Sequence, residues 1–201
     1  DGATSVSTAD IDNDGDLDIV SASAGDDTIT TYINNGAADP SFSKVDIFTN
    51  ADFADSVFTA DMNGDGDLDI LSTSYIDNKI RYFENNLPPA FSQFSIINTV
   101  STSADGTSFV WVADVNGDGN MDILSADYED DTIAWYKNDG NSNPNFTKED
   151  LSTNMDGATS VSTADIDNDG DLDIVSASAG DDTITTYINN GAADPSFSKV
   201  D

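Results

Sequence analysis

A nine-residue aspartate-rich segment occurs four times in this chain. Asp10-Ile11-Asp12-Asn13-Asp14-Gly15-Asp16-Leu17-Asp18 returns at residues 61–69, 114–122 and 165–173, at steps of 51, 53 and 51 residues. Each copy leads into an apolar pair (Ile19-Val20, Ile70-Leu71, Ile123-Leu124, Ile174-Val175) and then a second apolar segment at 28–33, 79–84, 132–137 and 183–188. A Pro-x-Phe step opens a last segment at Pro40/Phe42, Pro89/Phe91, Pro144/Phe146 and Pro195/Phe197. Self-similarity at this period requires an array of equivalent units, each too small to bury its own apolar surface and so stacked on its neighbours. The repeats divide as 1–46, 47–97, 98–155 and 156–201.

Residues 1–46 and 156–201 are identical at every position, an offset of 155 residues, whereas the two middle repeats differ from them. Three repeats therefore form a higher-order period. Either a repeat was duplicated, or the sequence is a window on a longer periodic molecule.

Stretches such as Ser5–Ala9, Leu17–Ser21 and Ile29–Ile33 alternate or are β-branched, and Asp-Gly, Asn-Gly and Asn-Asn pairs bound them. Period-two patterning between turn residues specifies short strands. No segment of ten residues carries apolar residues at helical spacing. The expected fold is all-β: tandem four-stranded antiparallel blades of β-propeller type, as a closed propeller or an open stacked array. The recurrence of the first repeat as the fourth favours the array.

Composition removes several function classes. Six Lys+Arg stand against 39 Asp+Glu, a formal net charge of −33, and only three of the acids are Glu. Such a polyanion is repelled by phosphate backbones and anionic lipid, so no nucleic-acid partner and no membrane insertion are expected. With neither Cys nor His, thiolate or imidazole metal sites, disulfides and His-dependent triads are excluded. No apolar run of about 18 residues is present. The first residues, Asp1-Gly2-Ala3-Thr4, do not read as a signal peptide, so any secretion signal is expected outside this chain.

The acids are concentrated at fixed spacings. Within each loop, Asp or Asn fills positions 1, 3 and 5, Gly position 6, and Asp position 9. Alternate positions of a tight loop turn oxygens toward one centre, which suits Ca²⁺ with its six to eight oxygen ligands. The expected ligands are Asp10, Asp12, Asp14 and Asp18 with the backbone carbonyl of Asp16; Asp61, Asn63, Asp65 and Asp69 with that of Asp67; Asp114, Asn116, Asp118 and Asp122 with that of Asn120; and Asp165, Asp167, Asp169 and Asp173 with that of Asp171. About one Ca²⁺ per repeat follows. Position 12 is Ser in every copy (Ser21, Ser72, Ser125, Ser176), so these are not EF-hands.

The blocks Ser5–Ser21 and Asp131–Gly140 resemble FG-GAP/VCBS repeats, the calcium-loop blades of integrin-α-like β-propellers and many secreted microbial proteins. The resemblance covers essentially the whole chain. It implies four antiparallel strands per blade, Ca²⁺ in the loop between the first two, and an extracellular or cell-surface setting. Such propellers commonly close with about seven blades, and this chain has four.

Aromatic residues recur in the third segment at Tyr32, Tyr82/Phe83, Trp135/Tyr136 and Tyr187. Their recurrence in strand register points to packing between blades over a sugar-stacking platform. The carboxylates fall in repeated ion loops and no repeat breaks the symmetry, so the chain is not expected to be an enzyme. The functional expectation is a calcium-binding structural or adhesive repeat protein, part of a longer array or surface filament. Its expected partners are neighbouring repeats of the same polymer, with a glycan possible. The alternatives are a carbohydrate- or protein-binding propeller, or a non-catalytic accessory domain of a secreted polysaccharide-degrading enzyme.

Overall fold

The computed structural model describes residues 1–86 and 94–200, with 95–97 as backbone alone. Pro89 and Phe91 lie outside the described residues. Every regular element among the described residues is a β-strand. The first blade is β1 (Ala3–Ala9), β2 (Asp18–Ser23), β3 (Thr28–Asn34) and β4 (Phe42–Phe48). The second is β5 (Ala54–Ala60), β6 (Asp69–Ser74), β7 (Lys79–Asn85) and β8 (Phe94–Ser101). The third is β9 (Thr107–Ala113), β10 (Asp122–Asp127), β11 (Thr132–Asn138) and β12 (Phe146–Ser152). The fourth is β13 (Ala158–Ala164), β14 (Asp173–Ser178), β15 (Thr183–Asn189) and β16 (Phe197–Val200). Each forms its own antiparallel sheet in sequence order, and no sheet closes on itself.

Strand alternation explains why the inner strands are apolar on both faces. Adjacent residues of a strand point to opposite sides of the sheet. Ile70 and Phe83 of the second blade therefore join the core shared with the first, while Leu71 and Tyr82 join the core shared with the third. In the third blade, Ile123 and Tyr136 face backward, and Leu124 and Trp135 face forward. The paired aromatics are one ring for each neighbour. Leu124 sits opposite Trp111 on one side and Trp135 on the other, which fixes this register.

Among the described residues three core clusters result, each between consecutive blades, and none joins the first blade to the fourth. The fold is an open stacked array with an uncovered blade at each end. In the second blade Phe94, not Phe91, holds the register of Phe42, Phe146 and Phe197, because it pairs with Asn85 as those pair with Asn34, Asn138 and Asn189. The Pro-x-Phe step at Pro89 points three residues short of the Phe in this register.

Candidate metal centres

Sixteen of the twenty expected ligand residues lie in the four loops between the first and second strands of each blade, and the other four, Asp18, Asp69, Asp122 and Asp173, are the first residues of the second strands. The loops turn tightly because positions 4 and 6 take positive φ: Asn13 and Gly15 at 56° and 96°, Gly117 and Gly119 at 69° and 90°. Glycine, and to a lesser degree asparagine, accepts that conformation at low cost.

Position 1 gathers the loop backbone. The Asp10 carboxylate accepts the Asp14 and Gly15 amides, both at 3.0 Å, and Asp114 accepts those of Asp118 and Gly119 at 3.0 and 2.9 Å. At position 5, Asp14, Asp65 and Asp118 each accept the amide two residues on at 2.9 Å, and Asp169 does so at 3.1 Å. Position 9 is fully buried in all four copies. Asp69 accepts the amides of Met62 (2.9 Å) and Asn85 (2.8 Å), so this carboxylate also ties its loop to the third strand.

Carboxylate oxygens of Asp10, Asp12 and Asp18 lie within 4.8 Å of one another, as do those of Asp165, Asp167 and Asp173. The other two loops carry Asn63 and Asn116 at position 3, whose side-chain oxygens accept the Asp65 and Asp118 amides at 3.1 and 3.0 Å. Position 7 differs. A Cβ added to Gly140 would lie 2.6 Å from the Asn120 amide nitrogen, and one on Gly36 or Gly191 would collide with Asp16 or Asp171. These side chains are tucked under the glycine of the turn after the third strand, which leaves the backbone carbonyl as the oxygen position 7 can offer.

The donor set fits a hard divalent cation: all oxygen, mostly anionic and convergent. Asp12 Oδ1 is buried with no hydrogen-bond partner, as a ligand atom would be. Burial pushes the Asp12 carboxyl above the usual range, and the charges of Asp18, Asp14 and Asp10 add to the shift. Burial likewise raises Asp69 to about 7 and Asp122 to about 6. Outside the loops, burial raises Asp127 to about 7, although Thr107 donates to it at 2.9 Å.

A carboxyl whose folded pKa exceeds its unfolded value holds its proton better in the folded state, so stability falls as pH rises through that window. The chelated protein is therefore expected to melt several degrees higher at pH 5 than at pH 7.5. Asp127→Asn should remove part of that slope, as a pH series of thermal melts would show.

A further set of residues was not read from the sequence. In the second, third and fourth blades, the Asn ending the third strand donates its side-chain amide to two loop carbonyls. Asn85 Nδ2 reaches Leu68 in its own blade (3.1 Å) and Ile11 in the preceding one (2.8 Å). Asn138 does the same to Met121 and Met62, both at 2.9 Å, and Asn189 to Leu172 and Val115, both at 3.1 Å. The signal was present as an Asn at the end of every third segment.

The model for the FG-GAP-like repeat matches residues 10–72, 63–125 and 114–176, together well over half the chain. The chain belongs to the FG-GAP-like repeat family. Curated proteins give no match. Among solved structures, this FG-GAP-like chain is similar to an Agrocybe aegerita lectin described by its specific recognition of non-reducing terminal N-acetylglucosamine, at 20% identity and TM-score 0.63, over 98% of this chain and 51% of the lectin. It is similar to a protein from Lactobacillus plantarum at 16% identity and TM-score 0.67, over 99% of this chain and 56% of that one. A V. cholerae biofilm matrix protein aligns at 20% identity and TM-score 0.56, over 99% of this chain and 28% of that one. The FG-GAP-like chain thus spans about half the length of the first two, and the likeness is one of fold.

Proposed function

We propose that this chain is an extracellular, calcium-binding structural or adhesive repeat protein, and that its four blades are part of a longer periodic array. The observation that carries this reading is the repetition of one oxygen-donor loop in every blade of an open stack. A site used for chemistry needs one distinctive arrangement, whereas these loops share one architecture. Their carboxylates already hold backbone amides, so the reading assigns no catalysis. Negative electron-stain images of native material in calcium buffer test it. Uniform filaments with a three-blade period are the expected result, and separate closed rings would overturn the array.

One observation favours a second reading, glycan binding. The third-strand aromatics are unsuited to it, since Tyr82, Phe83, Trp135, Tyr136 and Tyr187 are buried. A row with a half-buried ring between two exposed ones instead crosses the turns at the blade ends: Phe53 lies 5.8 Å from Tyr75, and Tyr75 lies 6.5 Å from Tyr128. The Tyr75 hydroxyl donates to Glu129. Flat rings beside a carboxylate suit a sugar face and its hydroxyls. Glycan binding that survives Tyr75→Ala would rule this surface out.

A further inference from the structure

The chain holds one 46-residue sequence in two environments, and the pair shows what each uncovered end is built to meet. Val161 is 1% exposed where Val6 is 67% exposed; Ile29 is 0% exposed where Ile184 is 70% exposed. The first blade buries its forward face on the second blade and leaves its backward face open. The fourth does the reverse, seating its backward face on the third blade. The open face of the first blade is a shallow apolar depression of about 310 Å³ lined by Ala3, Val6, Ile19, Ser21, Tyr32 and Phe42.

We propose that this face docks a blade of the third-repeat type, so that repeats join only in the order one, two, three, one. The proposal rests on the array reading above and specifies its joint. In the fourth blade the same residues are Val161, Ile174, Tyr187 and Phe197, packed with Leu124, Ile133 and Trp135 of the third. Trp135 meets Phe197 edge-on at 5.9 Å. Asn189 completes the joint by donating to the Val115 carbonyl, while its counterpart Asn34 keeps the within-blade bond to Leu17 at 3.1 Å.

Selectivity follows from one register position. The residues opposite Val20, Leu71, Leu124 and Val175 are Thr31, Tyr82, Trp135 and Thr186. Butting two copies of this chain end to end would bring Thr186 toward Phe42 and leave a void where Trp135 belongs, and unfilled core volume is destabilising. The first blade's own forward joint makes up for its small Thr31 differently. There Phe48 packs 5.7 Å from Phe83, with the Arg81 guanidinium 5.0 Å over its ring. A forward face of that type is built for the second repeat.

The test keeps the full chain and lengthens it at its N-terminus by a copy of residues 105–155, so that Met155 joins Asp1 as it joins Asp156. In the 201-residue chain, Val6→Asp should move the Tm by less than about 2 °C and Val161→Asp should lower it by about 10 °C, because only the second places a charge in a core. In the lengthened chain Val6→Asp should cost as much as Val161→Asp. A silent Val6→Asp there, or an added blade that melts as a separate earlier transition, would overturn the docking. Lengthening instead by residues 52–104 should leave Val6→Asp silent, and an equal cost in both chains would overturn the order. Closed particles in the stain images would end the array reading with this joint intact; filaments with a silent Val6→Asp would do the opposite.

Discussion

Calcium added to the chelated protein is expected to raise its Tm by about 20 °C or more. A ligand that binds only the folded state at a hundred times its Kd stabilises by about 2.7 kcal/mol per site, and a kcal/mol is worth about 2–4 °C in a chain of this size. Four sites acting through shared interfaces therefore give a shift that differential scanning calorimetry resolves easily. The Asp12 carboxyl is raised first by burial and then by the charges of Asp18, Asp14 and Asp10, a repulsion that a cation would relieve. Asp65→Ala should lower the calcium-loaded Tm by a few degrees and the chelated Tm by less, since its exposed carboxylate then holds only the Asp67 amide and the Asn63 side chain of its own loop. Asp69→Ala should lower both, because that carboxylate holds the Met62 and Asn85 amides with or without an ion. An unchanged melt in chelator would end the calcium reading.

Trp135→Ala is expected to cost about 3–5 kcal/mol, as deletion of a large buried aromatic does, and to lower the Tm by about 10 °C. The ring is fully buried between the third and fourth blades, touches Phe197 edge-on and carries the Lys137 ammonium 5.8 Å from its centroid. Tyr32→Ala, at a half-buried ring on the open face, should cost well under half as much. Nearest-neighbour stability in a repeat array also predicts that Trp135→Ala loosens the fourth blade first, which amide exchange would resolve by location. Equal losses from both variants would contradict the open-ended stack.

The strands were legible because period-two patterning is written four times over, and chance alternation in one repeat is corrected by the others. The fourth strand of the second blade shows the limit. Phe starts that strand eight residues after Asn34, Asn138 and Asn189, but nine after Asn85. The Pro-x-Phe step at Pro89 points to Phe91, and the eight-residue count from Asn85 gives Gln93, one short of Phe94. The loop oxygens were legible from their alternation. The second duty of Asp69 and its equivalents was not, because their partners are backbone amides sixteen residues away on another strand. Least legible of all was the contrast between the first and last blades, since identical residues carry no information about which of their faces a neighbour covers.

The asparagine joints have a mechanical consequence. Each spans two blades with one side chain, and its far end is a carbonyl at the second position of an aspartate loop: Ile11, Met62 or Val115. Tension applied along the stack is thus handed from sheet to sheet through the loops themselves. A loop stiffened by a bound cation would make a taut coupling, and a frayed one a slack coupling, so the ionic composition of the surroundings would set the compliance of the array.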